Sequence, residues 1–244
     1  MSRDVRVLVT GAASGIGAAI VQRCLADGAR VIATDVARFA TAPDGAVRLQ
    51  HDVACAHDWQ RIEAEVRDRL GGLDVLVNNA GVVSGLSIEE VSLEIWNRTL
   101  AIDLTGTMLG CQTAIRLMKA GPGTGAIINL CSTTALAALP GDAAYTAAKG
   151  AVRSLTRSVA VHCAKAGYPI RCNALIPGAT DTAILQALPE AVRAQIAATS
   201  PLNRLADPAE MAAAVAFLAS TDCRFMTGAE LLVDGGALAI HPGF

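Results

Sequence analysis

The spacing of apolar residues changes period repeatedly along the chain. Residues 5–9 form a largely β-branched run that stops at Thr10-Gly11, which reads as a short strand buried on both faces. Over 16–26 the apolar positions Ile16, Ala19, Ile20 and Leu25 recur near helical spacing, and Gly28 ends that helix. The alternation persists to the C-terminus. Strands are expected at 30–34, 46–49, 73–77, 126–130, 169–174 and 231–233, the second of these weak. Helices are expected at 58–70, 92–119, 143–166, near 185–198 and at 208–219, with a turn cluster at 121–125. Repeated β-α-β with short apolar strands predicts an α/β fold built on a doubly wound parallel sheet. No linker, low-complexity tract or internal repeat divides the 244 residues, so one domain is expected. The crossover from Val36 to Gly45 has about ten residues, near the lower limit for joining parallel strands. Its helix should be a stub or absent.

Composition narrows the function classes. Apolar residues make up 52% and charged residues 17%, which excludes long-range disorder. Twenty basic against 22 acidic residues leave a net charge of -2, so no basic surplus points to nucleic acid. Two Trp, two Tyr and four Phe make no stacking platform for single strands. The apolar stretch 211–219 is too short to span a bilayer, and because the N-terminus runs straight into a strand no leader is expected. A cytoplasmic protein without membrane or nucleic-acid partners is therefore expected. The seven cysteines form no C-x-x-C pair and read as core residues in a reducing compartment. The four histidines are scattered, and no metal site is expected.

Candidate chemistry begins where the first strand ends, in Thr10-Gly11-Ala12-Ala13-Ser14-Gly15-Ile16-Gly17. Glycines at a strand-to-helix turn let the backbone approach a pyrophosphate, and the helix N-terminus offers free N–H groups to it. A glycine trio alone is also a plain turn; the flanking strand and helix make it a dinucleotide candidate. Asp35 ends the second strand, 18 residues past Gly17. A carboxylate there accepts from ribose hydroxyls and repels a 2′-phosphate, which favours NAD over NADP.

The spacing T-G-x-x-x-G-x-G resembles that of the short-chain dehydrogenase/reductase family, and further motifs fit the same family in order over nearly the whole chain. Asn78-Asn79-Ala80-Gly81 follows the fourth strand, Ser132 the fifth, and Pro177-Gly178 the sixth; Tyr145-x-x-x-Lys149 opens a long helix, and Val233-Asp234-Gly235-Gly236 closes the chain. The resemblance implies a single-domain Rossmann-type sheet of seven parallel strands flanked by helices, with a nicotinamide cofactor. It implies a cofactor half over roughly 1–130 and a catalytic and substrate half over roughly 131–244. It assigns cofactor contacts to Gly11, Ser14, Gly15, Ile16, Gly17, Asp35, Asp52, Val53, Asn79, Ala80, Gly81, Tyr145, Lys149, Pro177, Gly178, Thr180 and Thr182. Thr180 departs from the Ile usual in the family. Subunits of relatives commonly form tetramers, so a homo-oligomer is expected.

The chemistry can be argued from the residues themselves. A tyrosine hydroxyl ordinarily titrates near pH ~10, too high for a good base at neutral pH. Lys149 lies one helical turn beyond Tyr145 on the same face, and its ammonium favours the phenolate. Ser132, 13 residues before Tyr145 at a strand end, can hold the substrate oxygen as charge develops on it. Asp103 stands where the family usually has Asn, in Ile102-Asp103-Leu104-Thr105-Gly106. That Asn supports a water leading protons from the Lys, so Asp103 joins Ser132, Tyr145 and Lys149 in the catalytic set, with an altered pH dependence expected.

Residues 183–202 should form a lid. Ile184, Leu185 and Leu188 there, with Leu139 and Leu86, make an apolar cleft around Ser132 and Tyr145. The expected activity is NAD-dependent oxidation or reduction at a hydrophobic secondary alcohol or ketone, whether aryl, alicyclic or steroidal. A 3-oxoacyl-carrier-protein reductase would dock its acidic carrier near Arg116, Lys119, Arg153 and Arg157, which form no dense patch. A nucleotide-sensing binding protein or a structural subunit would have no reason to keep Tyr145 and Lys149.

Overall fold

Strand side chains alternate between two faces, and this alternation sorts the core into two layers. The structure, a computed structural model, describes residues 4–39, 45–119, 121 and 123–239. In chain order it contains β1 (Arg6–Thr10), α1 (Gly15–Ala26), β2 (Arg30–Asp35), β3 (Val47–Gln50), α2 (Ala56–Leu70), β4 (Val75–Asn78), α3 (Leu93–Leu100), α4 (Gly106–Met118), β5 (Gly125–Leu130), α5 (Ala143–Lys165), β6 (Ile170–Pro177), α6 (Ala183–Gln186), α7 (Glu190–Ala197), α8 (Pro208–Ala219) and β7 (Glu230–Val233). The strands form one parallel sheet of seven in the order β3-β2-β1-β4-β5-β6-β7. Val7, Val9, Val31, Val77 and Ile128 face α1 and α8, where Ile20, Met211 and Val215 complete one core. Leu8, Ile32, Leu76 and Ile127 face the opposite side, against Trp59 and Ile62 of α2, Leu117 of α4 and Cys163 of α5. The edge strand β3 is half exposed on alternate residues, whereas β4 and β5 are buried throughout.

The order reverses at β1. The chain leaves β1 toward β2 and β3, then returns across it to β4. Crossovers on opposite faces open a crevice between the C-terminal ends of β1 and β4, where such sheets bind ligands. A buried polar rung stiffens this end. Asn78 Nδ2 donates to Asn129 Oδ1 at 2.9 Å, and Asn129 Nδ2 donates to Thr156 Oγ1 of α5 at 2.9 Å.

Three expectations need correction. The single helix expected over 92–119 is interrupted by a π-helical turn at Ala101–Thr105, which widens the backbone ring around Asp103; such turns concentrate at functional sites. The helix expected near 185–198 is two short helices, because Pro189 has no N–H to continue the ladder and stands at the N-cap of α7. Strand β6 runs on to Pro177, three residues past the expected end. The stub expected in 36–45 falls partly on residues 40–44, outside the described residues; Val36–Phe39 are not helical.

Both core layers meet at β5, so truncation there should be felt strongly. Ile127→Ala is expected to lower unfolding free energy by about 2–5 kcal/mol, read by chemical denaturation. Ile88→Ala, at a side chain 72% exposed, should stay within about 0.5 kcal/mol of the parent.

Candidate active site

The C-terminal ends of β1, β2, β4, β5 and β6 border a groove of about 690 Å³. Gly11, Ser14, Gly15, Ile16 and Asp35 line one end; Ser132, Tyr145, Lys149 and Ile184 line the other. Asp52, Val53, Asn79, Ala80, Gly81, Pro177, Gly178, Thr180, Thr182 and Leu185 complete its expected wall.

The glycine turn is shaped by close approach. A Cβ on Gly11 would lie 2.7 Å from Ala80 Cα, and one on Gly17 would lie 2.1 Å from Gly11 O. Gly17 therefore does not line the groove; it lets α1 start directly behind the turn. Ser14 is the N-cap of α1 but its side chain makes no cap bond, so the first N–H groups of the helix lack that partner. Asn79 clamps the turn from the neighbouring strand, donating to Thr10 O at 3.0 Å and Gly11 O at 2.8 Å. Asp35 takes N–H bonds from Ala13 and Ala37, each at 2.9 Å, one on each oxygen. Each oxygen keeps lone-pair capacity for a hydroxyl. A glycine cradle, an uncapped helix start and a fixed carboxylate are a donor and acceptor set that fits a dinucleotide.

The opposite end is organised around Lys149, only 4% exposed. Its Nζ donates to Leu130 O at 3.1 Å, lies 3.2 Å from Asp103 Oδ2, and stands 5.3 Å from the Tyr145 ring centre. Burial alone would push the ammonium down, but the facing Asp103 carboxylate and Tyr145 outweigh it and the net shift is upward. Lys149 stays cationic. Burial likewise pushes the Asp103 carboxyl up, against the opposing pull of Lys149 and the Val82 N–H. Asp103 Oδ1 accepts that N–H at 2.8 Å. Fully buried, Asp103 stands behind Lys149 rather than on the groove wall. Ser132 Oγ accepts from Thr134 N at 3.2 Å, which leaves its proton free to donate into the groove.

Other expected residues divide. Thr180 spends its hydroxyl on Gly178 O at 3.1 Å, so it offers backbone to the groove. Leu139 and Leu188, 47% and 37% exposed, are not among the lining residues. Leu86 does not line it either; Val82 and Val83 form that wall. Their position directly after Asn78-Asn79-Ala80-Gly81 was the available signal. Sequence reasoning also missed His51, Arg98 and Ile102 in the lining; His51 and Ile102 carried a signal, as the neighbours of Asp52 and Asp103.

His51 is buried, with Nδ1 3.0 Å from Thr34 Oγ1 and its ring edge-on to Trp59 at 4.4 Å. Burial holds its pKa down to about 4. A depressed folded pKa gives stability that is complete above the unfolded value and is lost as pH falls through the folded one. The protein should therefore lose roughly 3 kcal/mol between pH ~6.5 and ~4 through this group. His51→Phe should flatten that part of a melting-temperature profile; an unchanged slope would contradict the assignment.

Comparison with known proteins agrees with the fold. A family model described as enoyl-(acyl carrier protein) reductase matches residues 11–237. The chain is 42% identical over 245 residues to cis-4-hydroxycyclohexanecarboxylate dehydrogenase of Sinomonas cyclohexanicum, with 96% of each chain covered. It is 37% identical to 3-beta-hydroxysteroid dehydrogenase of Comamonas testosteroni, over 96% of this chain and 95% of the relative. The ligand-free aldohexose dehydrogenase of Thermoplasma acidophilum superposes with a TM-score of 0.92 at 33% identity, over 98% of this chain and 96% of that one.

Proposed function

Because the chain belongs to the short-chain dehydrogenase/reductase family, we propose that it moves a hydride between NAD(H) and a hydrophobic secondary alcohol or ketone. The enzyme is an oxidoreductase acting on alcohol groups, and members of the family use a nicotinamide cofactor. The observation that carries the reading is the meeting of Ser132, Tyr145 and Lys149 at one end of a groove whose other end holds Asp35. Residues 1–130 supply most of the cofactor end; residues 131–244 supply the chemistry, with 183–202 as lid.

Gly11, Ser14, Gly15, Asp35 and Lys149 line the groove that would hold the cofactor, and its nicotinamide would supply the hydride acceptor for oxidation of the alcohol. The chain's own residues handle the proton and the charge. Tyr145 takes the hydroxyl proton, and the adjacent ammonium of Lys149 stabilises the phenolate. Ser132 donates to the substrate oxygen as its charge changes. Lys149 also holds the nicotinamide ribose, and Asp103 fixes Lys149 from behind. Asp35 binds the adenosine ribose hydroxyls, and its charge disfavours a 2′-phosphate, which supports NAD. Val82, Val83, Ile184 and Leu185 give the substrate end an apolar wall. An alicyclic alcohol suits it, in keeping with relatives named for a hydroxycyclohexanecarboxylate and a hydroxysteroid.

The carrier-protein reading has the matched family description in its favour. The basic residues it needs are already engaged, however. Arg116 pairs with Glu63 at 2.8 Å, and Arg153 and Arg157 share Glu230. Lys119 lies over the Tyr168 ring. A free small molecule is therefore the substrate we favour. We extend the proposal to a cytoplasmic homotetramer. Phe217, Phe225 and Leu232 leave apolar side chains exposed, and among the described residues no helix is long and apolar enough to cross a membrane.

Turnover assays with NAD and NADP against aryl, alicyclic and steroidal alcohols and ketones test the reading. NAD-dependent activity is expected, reduced by about 10²–10⁴-fold in Tyr145→Phe. Activity with NADP alone would overturn the role given to Asp35, and cofactor binding without turnover would favour a binding protein. Asp103→Asn removes a negative charge beside Lys149 and so eases proton loss from the base. The acid limb of the alcohol-oxidation rate should move to lower pH; an unchanged profile would refute the influence of Asp103.

A further inference from the structure

Asp142 lies outside the groove wall, yet it is the most fully engaged carboxylate near the reacting end. It is 2% exposed and is the N-cap of α5. Its Oδ1 accepts the Tyr145 N–H at 3.2 Å and the Ser84 hydroxyl. Its Oδ2 accepts the N–H groups of Ser84 at 2.8 Å and Gly85 at 2.9 Å. Capping a helix needs one acceptor, which Ser, Thr or Asn supplies as well as Asp. Here both oxygens are used, and three of the four bonds leave the helix for a loop 57 and 58 residues earlier in the chain. The backbone seals the same seam, since Ala143 N donates to Leu86 O at 3.1 Å.

The loop so held carries Val82 and Val83, which line the same groove as Tyr145. Its near end is fastened by the other buried acid, where Asp103 Oδ1 takes the Val82 N–H at 2.8 Å. Two carboxylates thus pin one short loop at both ends. One of them touches Lys149 and the other the backbone of Tyr145. A loop with free ends could relax away from the catalytic helix; this one cannot move without breaking bonds to a buried charge, each of which is stronger than a neutral hydrogen bond.

We propose that Asp142 is a positioning residue, which sets the gap between the Val82–Val83 substrate wall and Tyr145 and thereby the size of alcohol carbon skeleton that reacts. This rests on the proposed dehydrogenase activity and adds to it a determinant of substrate shape. Asp142 touches neither substrate nor cofactor. Its effect passes through the loop on one side and the helix start on the other. Neither of its anchor points, Ser84 and Gly85, lines the groove.

The test separates cap from clasp. Asp142→Ser keeps a short side-chain oxygen for the Tyr145 N–H but cannot span to the loop. Asp142→Asn keeps the shape and puts an amide N–H₂ where an oxygen faced N–H donors. Ser84→Ala removes a single bond of the clasp and is the mild variant if the others fold poorly. Each is assayed well below its melting temperature with NAD and two alcohols, one compact and one bulky and alicyclic. NAD affinity, measured by titration without substrate, should be unchanged. For the bulky alcohol kcat/KM should fall by about 10²-fold in Asp142→Ser, with KM rising, while the compact alcohol loses much less. Asp142→Asn should lie between the parent and Asp142→Ser, and Ser84→Ala should shift the preference in the same direction. Equal losses for both alcohols, losses that follow melting temperature, or a weakened NAD affinity would each overturn the proposal. Tyr145→Phe run alongside keeps the two readings apart: undiminished turnover in it would sink the proposed chemistry, whereas an unchanged substrate preference in the Asp142 variants would sink only the clasp.

Discussion

A buried ammonium must be held by something, and how Lys149 is held decides the arrangement around it. Burial disfavours its charge. The compensation comes from the Leu130 carbonyl at the end of β5 and from Asp103 in the π-helical turn. Those two partners belong to different elements, so the lysine ties the sheet, the helix across it and α5 to a common point. Removing either partner would leave a charge without its match in a place where water cannot replace it.

From that point the rest follows in order. Asp103 can face Lys149 because the π-helical turn at Ala101–Thr105 redirects the helix path there. Its second oxygen is then free to take the Val82 N–H, which anchors the loop after β4. Tyr145, one turn before Lys149 on α5, is carried to the groove by the same helix, whose start is fixed by Asp142. The cofactor end is built by a different means, close backbone approach at Gly11 and Gly17 with Asn79 clamping the turn. Charge therefore organises one end of the groove and steric permission the other. The polar rung of Asn78, Asn129 and Thr156 runs under the floor between them.

Much of this was legible in the residue order. The alternation of short apolar runs with helical periods specified a parallel α/β sheet, because strands buried on both faces and helices buried on one leave different marks on a sequence. The glycine turn, Asp35, and the Tyr145 and Lys149 pair could be read locally, since each rests on a spacing within one element or across one turn. What tertiary structure alone decided are the relations between elements distant in the chain. The interruption of the long helix at Asp103 answers to Lys149 and Val82 and leaves no mark in local periodicity. Val82 and Val83, rather than Leu86, became the wall because Asp103 and Asp142 fix the loop from two other elements. Asp142 is the N-cap of α5. Its reach to Ser84 and Gly85 exists only once α5 and the loop after β4 lie side by side. Hydrogen bonds and charges act over a few ångströms of space, and that proximity is set by the packed sheet rather than by neighbours in the sequence.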